Sequence, residues 1–131
     1  MFAPVGRVTL VTTAYDERVI GCAIEVHRRI GPGIYESPYG HCLAHELTKA
    51  GIPFRRQAPI PLRYDELEFA CVFKADFIVA GELIVEIKAV ERLLDLHFAQ
   101  VLTYLRCSGL KKGLLLNFNA TRLVVRSVVL S

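Results

Sequence analysis

Two apolar segments separated by one glycine constrain the fold of this chain more than any other feature. Residues 67–79 (LEFACVFKADFIV) and 83–89 (LIVEIKA) are rich in β-branched and aromatic residues, and Gly81 lies between them. This pattern predicts two β-strands joined by a tight hairpin. The chain is 53% apolar with a mean hydropathy of +0.37, so we expect strands that are buried on both faces.

The rest of the sequence predicts helices and strands on either side of this hairpin. In order, the predicted elements are helices at 16–30 and from Ser37-Pro38 to Gly51, strands at 52–63, 67–79 and 83–89, a helix at 92–107, and strands at 113–118 and 122–130. Three prolines in the first strand indicate an edge position. A strand, a helix and a strand in succession form a right-handed crossover with parallel strands. The sequence therefore predicts an α/β fold with a mixed central sheet flanked by helices.

Length and composition favour one domain that does not enter a membrane. The chain has 131 residues, a usual size for a single domain. We expect residues 16–131 to form this domain, after an irregular or weakly extended lead-in at 1–15. No apolar run reaches the roughly 18–20 residues of a membrane span. The four cysteines lack CxxC spacing and are predicted to be free, mostly buried thiols of a cytoplasmic protein.

Three charged residues within the apolar strands are the strongest candidates for chemistry. Residues two apart in a strand point to the same face, so Glu86 and Lys88 share one face. Asp76 lies opposite Glu86 if residues 80–82 form a three-residue loop, whereas a two-residue loop at 80–81 would turn Asp76 to the other face. The chemistry therefore depends on the register of the hairpin.

Two carboxylates and a backbone carbonyl are ligands that a hard divalent cation prefers. We take Asp76, Glu86 and the carbonyl of Ile87 as predicted ligands of Mg²⁺ or Mn²⁺. Lys88 would position a water molecule or stabilise charge on a phosphate. A Glu–Lys pair on a strand is usually part of a solvated face. Here the flanking residues are apolar, and charges buried among them are costly unless they are paired or bind an ion.

Four further residues are weaker candidates. Gln100 and Tyr104 share a stripe at the sheet-facing edge of the third helix, which indicates either a substrate contact or ordinary packing. Glu36 precedes the second helix, where a carboxylate either stabilises the helix dipole or reaches a metal or its water. His27 on the first helix is a candidate substrate contact, although an inward histidine is more often a hydrogen-bonded core residue.

Basic residues are dispersed along the chain, and the net charge of +3 permits nucleic-acid binding without requiring it. The most prominent are Arg28-Arg29, Arg55-Arg56, Arg63 and Lys111-Lys112. Such residues either follow a phosphate backbone or maintain solubility.

Several segments together resemble the GxxExxY protein family. Residues 33–39 (GIYESPY) match its signature, and the segments VIGCAIEVHRRIGPGIYES, ADFIV, ELIVEIKAV, AQVLTYL and GLLLNF occur in the same order as in that family. GxxExxY proteins are grouped with the PD-(D/E)xK nuclease superfamily, so the resemblance implies a restriction-endonuclease-like core. Ala75 stands in place of the proline in the superfamily's nominal motif, at a position that does not touch the metal.

The resemblance also implies roles for individual residues. Asp76 resembles the metal-binding aspartate of the superfamily, and Glu86 and Lys88 resemble its (D/E)xK pair. The remaining matches are Glu36 with the acidic residue of the early helix, and Gln100 and Tyr104 with the QxxxY motif of RecB-like members.

The predicted function is that of a metal-dependent nuclease acting on DNA, with RNA as the less favoured substrate. The alternative is a non-catalytic module that keeps the nuclease fold and binds nucleic acid or a protein. The intact acidic set favours the enzyme, because a pure binding module does not need two carboxylates in an apolar sheet. The high apolar fraction is also compatible with a homodimer.

Overall fold

A computed structural model of the chain describes residues 13–130, in which three helices pack on one five-stranded sheet. The elements are α1 (Asp16–Ile30), α2 (Glu36–Lys49), β1 (Phe54–Tyr64), β2 (Leu67–Val79), β3 (Leu83–Lys88), α3 (Asp95–Ser108), β4 (Lys112–Asn117) and β5 (Val124–Val129). This order confirms the predicted one. Most of the predicted lead-in at 1–15 lies outside the described residues.

Strand order in the sheet follows chain order, β1-β2-β3-β4-β5. The pairs β1/β2, β2/β3 and β4/β5 are antiparallel, whereas β3 and β4 are parallel and connected through α3. The mixed sheet and the crossover are therefore confirmed. β1 lies at an edge, as its prolines predicted, because proline cannot donate a hydrogen bond to a second neighbouring strand.

The strands near the middle of the sheet are covered on both faces. Helices α1 and α2 pack on one face, and α3 packs on the other. The first core includes Val19, Leu43, Phe77, Val85 and Ile87, and the second includes Ala75, Ile84, Val101, Leu105 and Leu115. Within residues 13–130, no helix is long and apolar enough to cross a bilayer.

The start of α2 differs from the predicted one. Tyr35 is the N-cap residue, and no side-chain hydrogen bond caps the helix. Ser37 lies inside the first turn, where its hydroxyl contacts His41 Nε2 at 3.3 Å instead of capping. Glu36 is consequently the first helical residue, with its carboxylate at the positive end of the helix dipole.

A buried ion pair joins α1 to β4. Lys112 Nζ lies 2.5 Å from Asp16 Oδ2, and the two residues are only 4% and 8% exposed. The hydroxyl of Thr13 donates a further hydrogen bond to Asp16 Oδ1. The sequence analysis predicted that Lys112 follows a phosphate backbone or maintains solubility. This prediction is wrong, because Lys112 is buried in an ion pair with Asp16.

All four cysteines are free thiols, as predicted, but they are less buried than expected. Cys71 on β2 is exposed, and the other three are only partly buried. The exposure of Cys71 follows from its position on the outer half of the β1–β2 hairpin, which extends past the helices that cover the rest of the sheet.

Candidate metal and catalytic site

The β2–β3 hairpin has the register that places Asp76 next to Glu86. Residues 80–82 form the three-residue loop, and the paired residues are Val79 with Leu83, Ile78 with Ile84, and Phe77 with Val85. Ala80 and Gly81 both have positive φ values, of 52° and 67°, which close the loop tightly. The three-residue alternative from the sequence is therefore confirmed, and Asp76 and Glu86 are the next residues in this register.

Backbone pairing between β2 and β3 stops one position before the two carboxylates, and their side chains replace it. Glu86 Oε2 accepts a hydrogen bond from the Asp76 N–H, with an N···O distance of 2.5 Å. Asp76 Oδ2 accepts one from the Ile87 N–H, at 2.8 Å. Each acidic side chain thus holds the backbone of the opposite strand. The other oxygen of each carboxylate, Glu86 Oε1 and Asp76 Oδ1, is therefore the candidate cation ligand.

Strand β2 changes face at Asp76. Ala75 packs in the core under α3, whereas Phe77 packs in the core under α1 and α2. On a regular strand these two residues would share a face. The ladder between β1 and β2 skips Gln57 and Asp76, and Gln57 has a φ of 47°. The interruption of the ladder at Gln57 and Asp76 turns Asp76 toward a cleft on the α2 side. Asp76 nevertheless stays hydrogen-bonded to β3.

Burial and charge make Glu86 an unusual carboxyl group. It is only 4% exposed. Its pKa is raised to about 8, chiefly by burial, next by the negative charge of Asp76, and to a smaller extent by Glu36. The hydrogen bond from the Asp76 N–H and the charge of Lys88 oppose this rise. A divalent cation suits this pair, because it would compensate the two neighbouring negative charges.

Without metal, this chain should lose about 2 kcal/mol of stability between pH 6 and pH 8 because of Glu86. The pKa of Glu86 is raised from 4.5 to about 8 in the folded state. Its stabilising contribution is therefore complete at low pH and is lost as the pH rises through 8. Urea unfolding in EDTA at both pH values measures the loss. Glu86→Gln should remove it, and an equal loss in both proteins would show that Glu86 is not its source.

Lys88, Gln100 and Tyr104 lie together on the α3 side of the acidic pair. Lys88 Nζ donates a hydrogen bond to Gln100 Oε1 at 3.1 Å. Tyr104 is buried, and burial raises its pKa to about 12, with the charges of Glu86 and Asp76 adding to the effect. A hydrogen bond with Gln100 opposes that rise. Gln100 therefore links the lysine to the tyrosine and fixes the direction of the Lys88 ammonium.

A cleft of about 200 Å³ opens beside Asp76 on the α2 side of the sheet. Its lining residues are Glu36, Ser37, Gly40, Arg56, Gln57, Asp76, Phe77 and Ile87. Glu36 thus reaches the same cleft as Asp76. Across residues 13–130, however, no three histidine, cysteine, aspartate or glutamate side chains are grouped closely enough to hold a metal. Asp76 lines this cleft, whereas Glu86 and Lys88 are not among its lining residues. The ligand set of Asp76, Glu86 and the carbonyl of Ile87 therefore stays a prediction.

His27 is engaged by the backbone rather than by the acidic pair. Its Nε2 lies 2.8 Å from the carbonyl oxygen of Ala120, and its ring lies 6.1 Å from that of Phe118. This contact joins α1 to the loop after β4. It favours the alternative that the sequence left open, a hydrogen-bonded core histidine.

The cleft contains two residues that sequence reasoning did not place in a site. Arg56 and Gln57 stand on β1 opposite the segment around Asp76. The two polar residues could have been recognised only by aligning β1 with β2, because that alignment brings them opposite the segment around Asp76. That alignment requires the β1–β2 register, which the sequence does not specify.

The family model of the PD-(D/E)XK nuclease superfamily matches residues 13–128, nearly the whole chain. No curated protein and no solved structure matches the sequence. The match agrees with the superfamily implied by the resemblance, while membership of the narrower GxxExxY family stays a prediction.

Proposed function

This chain belongs to the PD-(D/E)XK nuclease superfamily, and on that premise we propose that it is a nuclease that hydrolyses phosphodiester bonds in DNA with Mg²⁺ or Mn²⁺. Its three helices and five-stranded mixed sheet are consistent with the restriction-endonuclease-like fold of that superfamily. The predicted homodimer and cytoplasmic location are separate proposals that rest on composition alone.

One observation carries the proposal, the cross-bonded pair of Asp76 and Glu86. Both carboxylates lie where two apolar strands separate, and Glu86 is almost completely buried. Such a pair lowers the stability of the fold, because burial and mutual repulsion both penalise the charged forms. A bound cation would compensate both charges, which gives the pair a function.

Asp76, Glu86 and the carbonyl of Ile87 would hold the cation. When bound, it would supply charge neutralisation at the phosphate and lower the pKa of a water molecule. Lys88, directed by Gln100, would donate a hydrogen bond to the attacking water or to a phosphate oxygen as charge develops. Glu36, which lines the cleft, would accept a hydrogen bond from that water.

The test is a cleavage assay on end-labelled single-stranded DNA, double-stranded DNA and RNA. We expect cleavage of DNA with Mg²⁺ or Mn²⁺ and none with EDTA. Comparison of the three substrates decides the substrate class. If no nucleic acid is cleaved and no divalent metal raises the melting temperature, the non-catalytic module becomes the better account.

Lys88→Met should separate catalysis from metal binding. We expect cleavage to fall by about 10²–10³-fold, the usual effect of removing one donor that stabilises developing charge. The rise in melting temperature on adding metal should persist, because Lys88 is not a ligand. Lys49→Met is the matched control, since Lys49 is exposed at the far end of α2. A Lys88 variant with full activity would remove the lysine from the mechanism.

A further inference from the structure

Arg56 extends from β1 into the cleft beside Asp76. Its guanidinium carbon lies 5.5 Å from the centre of the Phe77 ring, and its Nη1 donates a hydrogen bond to His41 Nδ1 at 3.2 Å. Its Nε is buried and has no hydrogen-bond partner among residues 13–130. A buried donor without an acceptor is unfavourable and rare in native proteins, so the protein alone does not satisfy all the hydrogen-bonding groups of Arg56.

Four of the other prominent basic residues already have acidic partners. Arg28 and Arg29 bind Glu25, Arg63 binds Glu68, and Lys112 binds Asp16. In the part of the chain that the structure describes, Arg56 forms no ion pair with a carboxylate. Its positive charge is therefore available to an anion in the cleft.

Helix α2 leaves room for the guanidinium. A Cβ atom at Gly40 would lie 3.0 Å from Arg56 Nη2, so only glycine allows the side chain to rest there without displacement. Glycine is a poor helix former, and at this position the lack of a side chain serves the arginine. His41, one residue later on the same helix, orients the guanidinium from its other side through Nη1. The arginine is thus fixed in direction before any ligand arrives.

We infer that Arg56 is a substrate-binding residue whose guanidinium binds a non-bridging oxygen of a nucleic-acid phosphate in the cleft, with Gly40 and His41 holding it in position. The planar fork of arginine suits a phosphate group, and a charged donor of this kind gives the stronger class of hydrogen bond. The cleft is also lined by Asp76, so a phosphate on Arg56 would lie beside that candidate metal ligand. This inference rests on the proposed nuclease function.

Binding of labelled DNA, followed by fluorescence anisotropy, tests the inference without cleavage. All proteins carry Glu86→Gln, which prevents turnover, and Arg56→Met is compared with Arg55→Met. Arg55 is exposed and lines a separate pocket with Pro59 and Leu110, so it is the matched control. Arg56→Met should weaken DNA binding about tenfold. The plot of the logarithm of the binding constant against the logarithm of the salt concentration should become shallower, with its slope smaller in magnitude by about one. Arg55→Met should leave both values unchanged.

Gly40→Ala provides a second variant that keeps every charge. The added methyl group should displace the guanidinium and weaken DNA binding several-fold, while the melting temperature holds or rises because alanine favours the helix. Arg56→Met in the otherwise unchanged chain should retain the rise in melting temperature on adding Mg²⁺.

The outcomes separate this inference from the nuclease proposal. Equal binding by the Arg56 and Arg55 variants, in a chain whose unsubstituted form cleaves DNA, would overturn only the role of Arg56. A chain that neither binds DNA nor responds to metal overturns both.

Discussion

Glu86→Gln should abolish metal-dependent cleavage and most of the stabilisation by metal, while the fold is retained. The substitution keeps the shape of the side chain and an oxygen that can accept the hydrogen bond from the Asp76 N–H. It removes one of the two charges that would hold the cation. Because a bound cation contributes several kcal/mol of charge stabilisation to such reactions, cleavage should fall by about 10³-fold or more.

Melting curves with Mg²⁺, Mn²⁺ or EDTA measure the effect on metal binding. At about 100 times its dissociation constant, a cation that binds only the native state stabilises it by about 2.7 kcal/mol. That corresponds to an increase of several degrees in melting temperature for a domain of this size. The Glu86 variant should lose most of this increase.

Glu82→Gln is the matched control, because Glu82 is exposed in the loop of the same hairpin. It should cleave DNA and respond to metal like the unchanged chain. Full cleavage by the Glu86 variant would contradict the assignment of the site.

Lys112→Met should destabilise the fold by about 3–5 kcal/mol, the usual cost of leaving one member of a buried ion pair without its partner. The methionine fills a similar volume, but the Asp16 carboxylate then lacks its cation and keeps the hydrogen bond from Thr13. Urea unfolding at pH 7 measures the change in free energy.

Lys111→Met serves as the control, since Lys111 is exposed and adjacent in sequence. The double variant Asp16→Asn with Lys112→Met removes both charges and should recover part of the lost stability. Equal stability of the Lys111 and Lys112 variants would show that the ion pair contributes little.

The order of elements could be predicted because its signals are local, whereas the hairpin register stayed open between a two-residue and a three-residue loop until the structure decided it. Gly81 and two apolar segments specify the β2–β3 hairpin, and a three-residue loop brings Asp76 and Glu86 together. Spacing on one helix likewise placed Gln100 and Tyr104 side by side. These inferences use only residues that are close in sequence, where turn geometry and periodicity determine the arrangement.

The features that escaped prediction depend on contacts between distant segments. Lys112 looks like a surface lysine until α1 brings Asp16 against β4. The change of face at Asp76 requires the irregular backbone of Gln57 on the neighbouring strand, and a regular period of two does not contain it. Arg56 acquires its surroundings from Gly40 and His41 on α2. Sequence patterns within one element carry no information about such partners.

The agreement between strand order and chain order has a consequence for folding. Three of the four strand pairs join strands that are consecutive in the chain and antiparallel, and only β3 and β4 require a crossover through α3. Contacts between nearby segments lose little chain entropy on closure and form quickly. We therefore expect Asp76 and Glu86 to meet early, when their hairpin closes, and Lys88 to meet Gln100 only after α3 has docked. A folding chain would thus acquire its acidic pair before Lys88 is oriented, and the complete candidate site would be among the last features to form.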